Sequence, residues 1–262
     1  MEFFKQNTRI DFMGARKWTA LISVILFAIS LGSLVVNGLN FGLDFTGGVQ
    51  IELAYQQSAD IEKIRGQLSN AGFPDAVVQS YGSSNAVLIS TAGEANDVVS
   101  KVLDALPGAI KRRVDFVGPQ VGKELATKGL LAILVALLAT MIYIAMRFEY
   151  RFAISSAAAL VHDPVLILGV FSMFHIEFDL KVLGAMLAVI GYSLNDTIVV
   201  FDRVRENFRK MRKAESVDVM NSAINQTLSR TIMTSASTLV VVVALFLYGG
   251  DMIHGFALAL II

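Results

Sequence analysis

Five long apolar runs restrict what this chain can fold into. A helix needs about 20 apolar residues to cross the roughly 30 Å hydrocarbon core of a bilayer, with about 17 as a lower limit. A sixth run starts at Ile253 and reaches about half the length of a crossing by residue 262. The pattern predicts an α-helical polytopic membrane protein with six spans, the sixth incomplete. The five full runs occupy residues 18–36, 129–146, 153–174, 180–201 and 231–248.

The composition agrees with this class of protein. Of the 262 residues, 55% are hydrophobic and 17% are charged, whereas soluble domains have about 25% charged residues. The 22 basic and 22 acidic residues balance, so the net charge does not favour a nucleic acid as a partner. The chain has no cysteine, and its three histidines are scattered along the sequence. We therefore expect no metal site and no bound cofactor.

Basic residues beside the apolar runs predict the orientation in the membrane. If every run crosses, one side receives thirteen Lys and Arg residues, from the tail before Trp18, the turn at 147–151 and the segment 202–230. The opposite short loops, 175–179 and 249–251, contain none. Because basic flanks remain in the cytoplasm, the N-terminal tail and the basic segment are expected to be cytoplasmic. The division of the chain is then 1–36 (tail and first span), 37–128 (external insert) and 129–262 (the remaining spans).

The insert at 37–128 has the hydrophobic patterning of a soluble domain. Apolar residues alternate over 48–55, as in a strand, and recur at helical spacing over 59–71 and again over 94–106. Further strands are predicted at 75–81, 85–91 and 110–117. The resulting order, strand, helix, strand, strand, helix, strand, predicts an α+β domain of the ferredoxin-like type. The glycine-rich segment 41–48 precedes a strand rather than a helix, so we interpret it as a linking turn and not a phosphate site.

Ionisable residues inside the apolar runs are the candidate functional residues. An ionisable side chain at the centre of a membrane helix costs at least about 2.5–3.5 kcal/mol, so it indicates a function by default. The first candidate is Asp163, between His162 and Pro164 in the third run, where the proline predicts a kink. The structural alternative is a kink capped by local hydrogen bonds, with the aspartate held by a neighbouring helix.

The second candidate is the pair Asn195 and Asp196 in the fourth run. Small residues Gly184, Ala188 and Gly191 share one helical stripe with Asn195, and such a stripe predicts close approach of another helix. Asp196 lies next to that stripe and is expected to face the interior of the bundle, where its carboxylate would exchange a proton or bind a cation. The alternative is that both polar residues act only as structural hydrogen-bonding groups.

Arg230, at the start of the fifth run, is the candidate basic partner of Asp196. The two runs are antiparallel, so pairing of these side chains is geometrically possible, and forming or breaking the pair would change the proton affinity of the carboxylate. The alternative is an interfacial arginine whose charge extends to the headgroups. Between these runs, apolar residues at helical spacing among basic ones over 202–213 predict an amphipathic helix on the membrane surface.

Several motifs together resemble the SecD/SecF family of protein-export membrane subunits, which is related to the resistance-nodulation-division transporters. The motif at 191–210 is long enough to make a chance match implausible, and the motifs cover nearly the whole chain. They are FGLDFTGG at 41–48, DFVGPQVG at 115–122, RFEYR at 147–151, HDPV at 162–165, GYSLNDTIVVFDRVRENFRK at 191–210 and NQTLSRTIMTS at 225–235.

The resemblance implies a non-enzymatic subunit of the bacterial inner membrane with a periplasmic insert. It implies pairing with SecD, assistance to the SecYEG channel, YajC and YidC as further partners, and unfolded exported polypeptide as the substrate. It also implies use of the ion gradient, carried by protons or sodium ions, for late steps of export that do not need ATP. Asp196 and Arg230 match the family's ion-coupling positions, with Asn195 in the same motif, and Asp163 matches a commonly polar position.

Two other functions remain as alternatives at this point. An intramembrane aspartyl protease would use Asp163 and Asp196, because two carboxylates that share a proton can activate water. The segment around Asp196 lacks the Gly-x-Gly-Asp element expected of such an enzyme. A small-molecule efflux pump would need a large pocket-bearing external domain, and the insert 37–128 is small for that purpose.

Overall fold

The computed structural model describes residues 9–93, 95–148 and 150–262, with the backbone alone at Asp251. Lys5 of the basic N-terminal flank and Glu149 of the motif at 147–151 fall outside these residues. In chain order the elements are α1 (Arg16–Asn37), β1 (Asn40–Phe41), α2 (Leu43–Thr46), β2 (Gly48–Ala54), α3 (Ile61–Asn70), β3 (Val77–Tyr81), β4 (Ser83–Thr91), α4 (Ala95–Ala105), β5 (Ile110–Val117), α5 (Pro119–Arg147), α6 (Tyr150–Met173), β6 (Glu177–Phe178), α7 (Leu180–Lys210), α8 (Ser216–Tyr248) and α9 (Asp251–Ile261).

Five of these helices, α1, α5, α6, α7 and α8, are long and apolar enough to cross a membrane. They coincide with the five predicted runs, so the prediction of five apolar helices is confirmed, and the chain is a multi-pass membrane protein. The helix α9 is apolar and has 11 residues, and it packs against α7 and α8.

Two helices begin earlier than the apolar runs predict. The helix α5 starts at Pro119 rather than at Gly129, and α8 starts at Ser216 rather than at Thr231. Proline suits the first turn of a helix because its missing amide hydrogen has no intrahelical acceptor there. Charged residues such as Lys123 and Glu124 lower the mean hydropathy of this first part of α5, so hydropathy alone does not indicate it. The first turns of α5 therefore lie within the predicted insert 37–128.

The insert folds into a four-stranded antiparallel sheet with two helices. Its elements follow the predicted order, from β2 through α3, β3, β4 and α4 to β5, and the strands lie side by side as β3-β4-β2-β5. The helices α3 and α4 cover one face, where Val49, Ile51 and Leu53 of β2 are fully buried. Asp60 begins α3 by accepting a hydrogen bond from the Lys63 amide at 3.2 Å.

The loops of the membrane helices divide between two ends, as the charges predict. At one end β1 pairs in parallel with β6, so the loop at 174–179 lies beside the root of the insert. Arg113 of β5 also donates to the Met252 sulfur at 3.2 Å, which brings the start of α9 to the same end. At the other end the amide of Met13 donates to the Asn221 side chain at 2.9 Å. The N-terminal segment therefore lies beside the basic region around 211–215.

The predicted amphipathic helix on the membrane surface at 202–213 is wrong. The helix α7 continues without a break to Lys210 and forms an antiparallel hairpin with the first turns of α8. Asn207 is buried in this hairpin and donates to the Gln226 side chain at 3.1 Å. The first turns of α8 supply buried Val219 and Ala223. In the α7 extension Val204 and Asn207 are therefore buried, whereas Phe208 stays 39% exposed.

Candidate functional site

Asp163 belongs to a chain of hydrogen bonds that joins three membrane helices. Its carboxylate accepts from the Ser193 hydroxyl of α7 at 2.6 Å and contacts Nδ1 of His162 at 3.1 Å. Nε2 of His162 lies 2.7 Å from the Ser23 hydroxyl of α1. A proton on Nδ1 satisfies both histidine contacts, with Nδ1 donating to Asp163 and Ser23 donating to Nε2. The helix α6 continues through Pro164, so the proline does not end it.

The same network lies on a close, parallel contact between α1 and α6. Ser33 and Ser172 are hydrogen-bonded at 2.9 Å. Between the two hydrogen bonds, a Cβ placed on Gly169 would lie 2.2 Å from the Cβ of Ser30, so only glycine permits this approach. All three contacts join residues that are 139 positions apart, which means that α1 and α6 run side by side in one register. Small and polar residues at such a contact are typical of helix pairs in membranes.

The remaining predicted residues are not brought together. Asp196 is half-buried on α7, whereas Asn195 and Arg230 are exposed. Within residues 9–93, 95–148 and 150–262, the side chains of these three residues form no hydrogen bond and no ion pair. The pairing of Asp196 with Arg230 is thus absent from this conformation. Ser193 and Asp196 lie one turn apart on α7, and Ser193 donates to Asp163 of α6. The serine therefore links the positions of the two aspartates.

The small-residue stripe of α7 predicts close approach of another helix, and no described residue of this chain supplies that contact at its two glycines. A Cβ added at Gly184 or Gly191 would meet no atom within 4 Å, and Ala188 is exposed. The packed face of α7 carries large residues instead, with Ile190 and Leu194 against α5 and α6, because large apolar side chains fill the space between helices. The end of the stripe, at Gly191 and Asn195, lines an open groove of about 420 Å³ between α5 and α7.

The geometry around Asp163 does not resemble a carboxylate pair of a protease. Both oxygens of Asp163 have partners, one in Ser193 and the other in His162. In the described part of the chain, no hydrogen bond joins Asp163 to Asp196. A shared proton would require two carboxyl groups in direct contact.

The insert is fixed to the membrane helices by a double glycine. Gly47 and Gly48 have φ values of 69° and 126°, which residues with a Cβ atom rarely adopt. A Cβ on Gly47 would lie 2.8 Å from Cα of Pro119, and one on Gly48 would lie 2.6 Å from the carbonyl oxygen of Thr91. The two glycines therefore permit the start of β2 to pass close to both α5 and the end of β4.

Two aspartates connect this root to the N-terminus of α7. Asp179 accepts from the Val182 amide at 2.8 Å, and Asp44 of α2 accepts from the Leu180 amide at 3.1 Å. Negative groups are favourable at a helix N-terminus, where amide hydrogens are unpaired. Nearby, burial raises the pKa of Glu177, and the negative charge of Asp179 raises it further. The four aromatic rings of this joint are Phe41, Phe45, Phe171 and Phe178.

Comparison with known proteins accounts for almost the entire chain. The model of the family "Protein export membrane protein SecD/SecF, C-terminal" matches residues 98–262, and the model "SecD/SecF GG Motif" matches residues 32–59. The chain belongs to the SecD/SecF family. Among its SecD/SecF relatives, the protein translocase subunit SecF of Pseudomonas aeruginosa is 50% identical, over 97% of this chain and 85% of that protein. SecF of Vibrio alginolyticus is 48% identical, over 100% of this chain and 86% of its own length.

Solved structures of the family have the same fold. A crystal structure of SecDF from Thermus thermophilus, described as a translocon-associated membrane protein, superposes with a TM-score of 0.90 at 32% identity. The match covers 99% of this chain and 36% of SecDF. A second SecDF structure, in a super-membrane-facing form, has a TM-score of 0.72. The double glycine at the joint lies within the residues matched by the SecD/SecF GG motif.

The sequence patterns did not identify the serines that complete the hydrogen-bond network around Asp163. Ser23 and Ser193 are single polar residues in apolar runs, and serine is common in membrane helices, so neither residue is distinctive by itself. The sequence does contain one indication that α1 and α6 pack together, which is a shared spacing of polar and small residues. Ser23, Ser30 and Ser33 repeat at the spacing of His162, Gly169 and Ser172. A comparison of polar and small positions between pairs of runs would have found this match.

Proposed function

We propose that this chain is an accessory subunit of the Sec protein translocase that works with a SecD partner. Together they use the proton gradient across the bacterial inner membrane to drive late, ATP-independent steps of export and to release polypeptide on the periplasmic side. In this proposal the N-terminus is cytoplasmic, the chain contributes to a six-span unit, and the ferredoxin-like insert is periplasmic. The SecYEG channel, YajC and YidC are the further partners.

The observation that carries this proposal is the position of α7 between the membrane carboxylates and the insert. Its middle part holds Asp163 through Ser193 and carries Asp196. The N-terminus of α7 is held by Asp44 of α2, the short helix that follows strand β1 at the root of the insert. A tilt or rotation of α7 that accompanies a change of charge at Asp196 would therefore act directly on the external domain.

The state of Asp196 supports an ion-coupling role. A half-buried carboxylate without a cationic partner, in the middle of a membrane helix, carries a cost that binding of a proton or a cation removes. Arg230 is exposed on the neighbouring helix α8 and also has no partner among the described residues. We propose that the two side chains pair in another conformation of the cycle, and that protonation of Asp196 opens that pair.

The open stripe on α7 supports a helical partner in the membrane. Gly184, Ala188 and Gly191 form a strip of small residues along α7, and Gly191 and Asn195 at its end line the groove between α5 and α7. A transmembrane helix can approach such a face closely. We assign this face to SecD, which also explains why Asn195 is exposed in the isolated chain.

The test uses charge-neutral variants in living cells. Asp196→Asn and Arg230→Met are each expected to insert at the wild-type level and to cause unprocessed precursors of exported proteins to accumulate. Asp202→Asn is the matched control on the same helix, because its carboxylate pairs with Arg147 at 3.3 Å at the end of the span. Exposed ion pairs contribute little, so this control should secrete normally. Unchanged precursor processing in the first two variants would exclude the coupling role.

The coupling ion is tested separately in sealed inner-membrane vesicles. Secretion should slow when the proton gradient is dissipated and remain unchanged when only the sodium gradient is removed. The opposite result would assign coupling to sodium.

A further inference from the structure

A cavity of about 630 Å³ lies at the basic end of the membrane helices. It is bounded by α6, α7 and α8, and Met13 closes it from the segment before α1. This volume is within the range of pockets that bind small molecules. Most of its wall is apolar, formed by Phe152, Phe201, Val204, Met220 and Ile224.

Three arginines also line this cavity. Arg205 and Arg209 are one turn apart on α7, and Arg151 lies in the first turn of α6, where its Nε donates to the Tyr150 hydroxyl at 3.2 Å. No aspartate or glutamate occurs among the described residues that line the space. The wall thus combines a large apolar area with guanidinium groups at one edge.

The two carboxylates of α7 next to the cavity are already paired with other cations. Asp202 pairs with Arg147 at 3.3 Å, and Glu206 pairs with Arg203 at 2.7 Å and with Lys210 at 2.5 Å. In the described part of the chain, Arg209 has no ion pair.

Arg205 is the least satisfied of the three arginines. It also has no described ion pair, and its Nε is buried without a hydrogen-bond acceptor. A buried donor without an acceptor has lost its hydrogen bond to water and gained none in return, which is unfavourable. An anion at this edge of the cavity would remove that cost.

We propose that this cavity binds an anionic phospholipid. Its phosphate would accept from Arg205 and Arg209, with Arg151 near the rest of the headgroup, and one acyl chain would lie against Phe152 and Phe201. Arginine is suited to this contact because its guanidinium binds phosphate oxygens in a bidentate manner. Basic pockets between membrane helices on the cytoplasmic side are known to bind anionic headgroups. Zwitterionic lipids carry an additional ammonium group, which the three arginines would repel.

Binding is tested with the purified full chain in detergent, by titration with phosphatidylglycerol, phosphatidylethanolamine and inorganic phosphate. Phosphatidylglycerol should bind saturably and at least tenfold more tightly than phosphatidylethanolamine. Inorganic phosphate at the same concentration should bind weakly, because it lacks the acyl chain. Equal binding of both lipids, or equal binding of phosphate and phosphatidylglycerol, would overturn the proposal.

Two double variants distinguish a site from general surface charge. R205Q/R209Q should lower phosphatidylglycerol affinity by at least tenfold. The matched control R212Q/K213Q removes the same charge from exposed residues at the same end and should bind as the wild type does. An equal loss in both variants would show that the lipid responds only to surface charge, which contradicts the site.

A third experiment uses only the wild-type chain, so misfolding of a variant cannot affect it. Phosphatidylglycerol with a photoactivatable acyl chain should label wild-type peptides that contain Phe152 and Phe201. Labelling that excludes both peptides would overturn the proposal.

Discussion

The sheet domain and the membrane helices bury their apolar residues to very different extents. In the domain, Ile51, Leu53 and Leu68 are fully buried against each other. In α8, by contrast, Val240 is 70% exposed and Leu247 is 64% exposed. The domain therefore completes its own core, whereas most of the surface of α8 depends on lipid or a partner subunit.

This difference shows that two kinds of interaction stabilise one chain. Water drives apolar side chains together in the domain, with roughly 25 cal/mol for each Å² of apolar surface buried. Lipid provides no such force between helices, so close packing and hydrogen bonds determine which helices associate. The contact of α1 with α6, built on Gly169 and serine pairs, is the clearest case.

The largest expected effect comes from truncating the domain core. Leu53→Ala should lower the free energy of unfolding of the sheet domain by about 2–5 kcal/mol, because it removes a buried side chain and leaves a cavity. Hydrogen exchange of the β2 and β4 amides in the full chain measures this change.

The matched truncation in lipid sharpens the comparison. Val240→Ala in α8 should change stability by less than about 0.5 kcal/mol, as for substitutions at exposed positions. Equal losses for Leu53→Ala and Val240→Ala would mean that α8 has an apolar partner within the chain, which would break the comparison.

An intermediate effect is expected where two membrane helices touch. Gly169→Leu should separate α1 from α6, since even a Cβ at this position overlaps Ser30, and overpacking costs about 1–3 kcal/mol. The chain has no cysteine, so a Ser33→Cys/Ser172→Cys pair reports the contact by disulfide formation. Crosslinking should be efficient in the glycine background and weak with leucine. Undiminished crosslinking with Gly169→Leu would show that this helix pair tolerates the added volume.

The smallest effect concerns the joint between the two regions. Burial and Asp179 raise the pKa of Glu177 above its ordinary value of 4.5. The folded joint thus favours the protonated form. The stabilising contribution of Glu177 is fully present below pH 4.5 and is lost as pH rises from there through the raised pKa of the folded state.

Glu177→Gln should remove this dependence and make the joint more stable at neutral pH. Hydrogen exchange of the Gly42 amide, which donates to the Phe178 carbonyl at 2.9 Å, reports the joint after correction for intrinsic rates. Glu215→Gln, at the opposite end of the molecule, serves as the control. Identical pH profiles for the wild type and Glu177→Gln would contradict the assignment.

The fold could be predicted from the sequence wherever one physical signal dominates. Length and hydropathy located five apolar helices, and alternation located the strands of the insert in their order. Helix boundaries were less accurate, because Lys123 and Glu124 interrupt the apolar signal of α5 although both residues lie within the helix. The extension of α7 was misassigned for a related reason. An amphipathic pattern does not reveal whether lipid or another helix covers its apolar side.

The candidate site could be predicted only in part. Asp163 is conspicuous because a carboxylate in lipid is costly, but its partner Ser193 depends on which helices touch, and that information is tertiary. The stripe at Gly184 and Gly191 predicts a close contact without saying whether the partner helix belongs to the same chain. The coupling roles of Asp196 and Arg230 remain predictions, which the secretion experiment addresses.

The parallel contact of α1 with α6 also determines how long α1 waits for its partner during synthesis. The partners Ser23 and His162 are 139 residues apart. At a synthesis rate of roughly 5–20 residues per second, the ribosome needs about 7–28 s to make the intervening chain. During this interval the serines of α1 have no partner on α6, so their hydroxyls are left to backbone carbonyls of the preceding turn, to water or to another protein. Slower translation of residues 38–150 would lengthen this interval, and the contact between α1 and α6 would form correspondingly later.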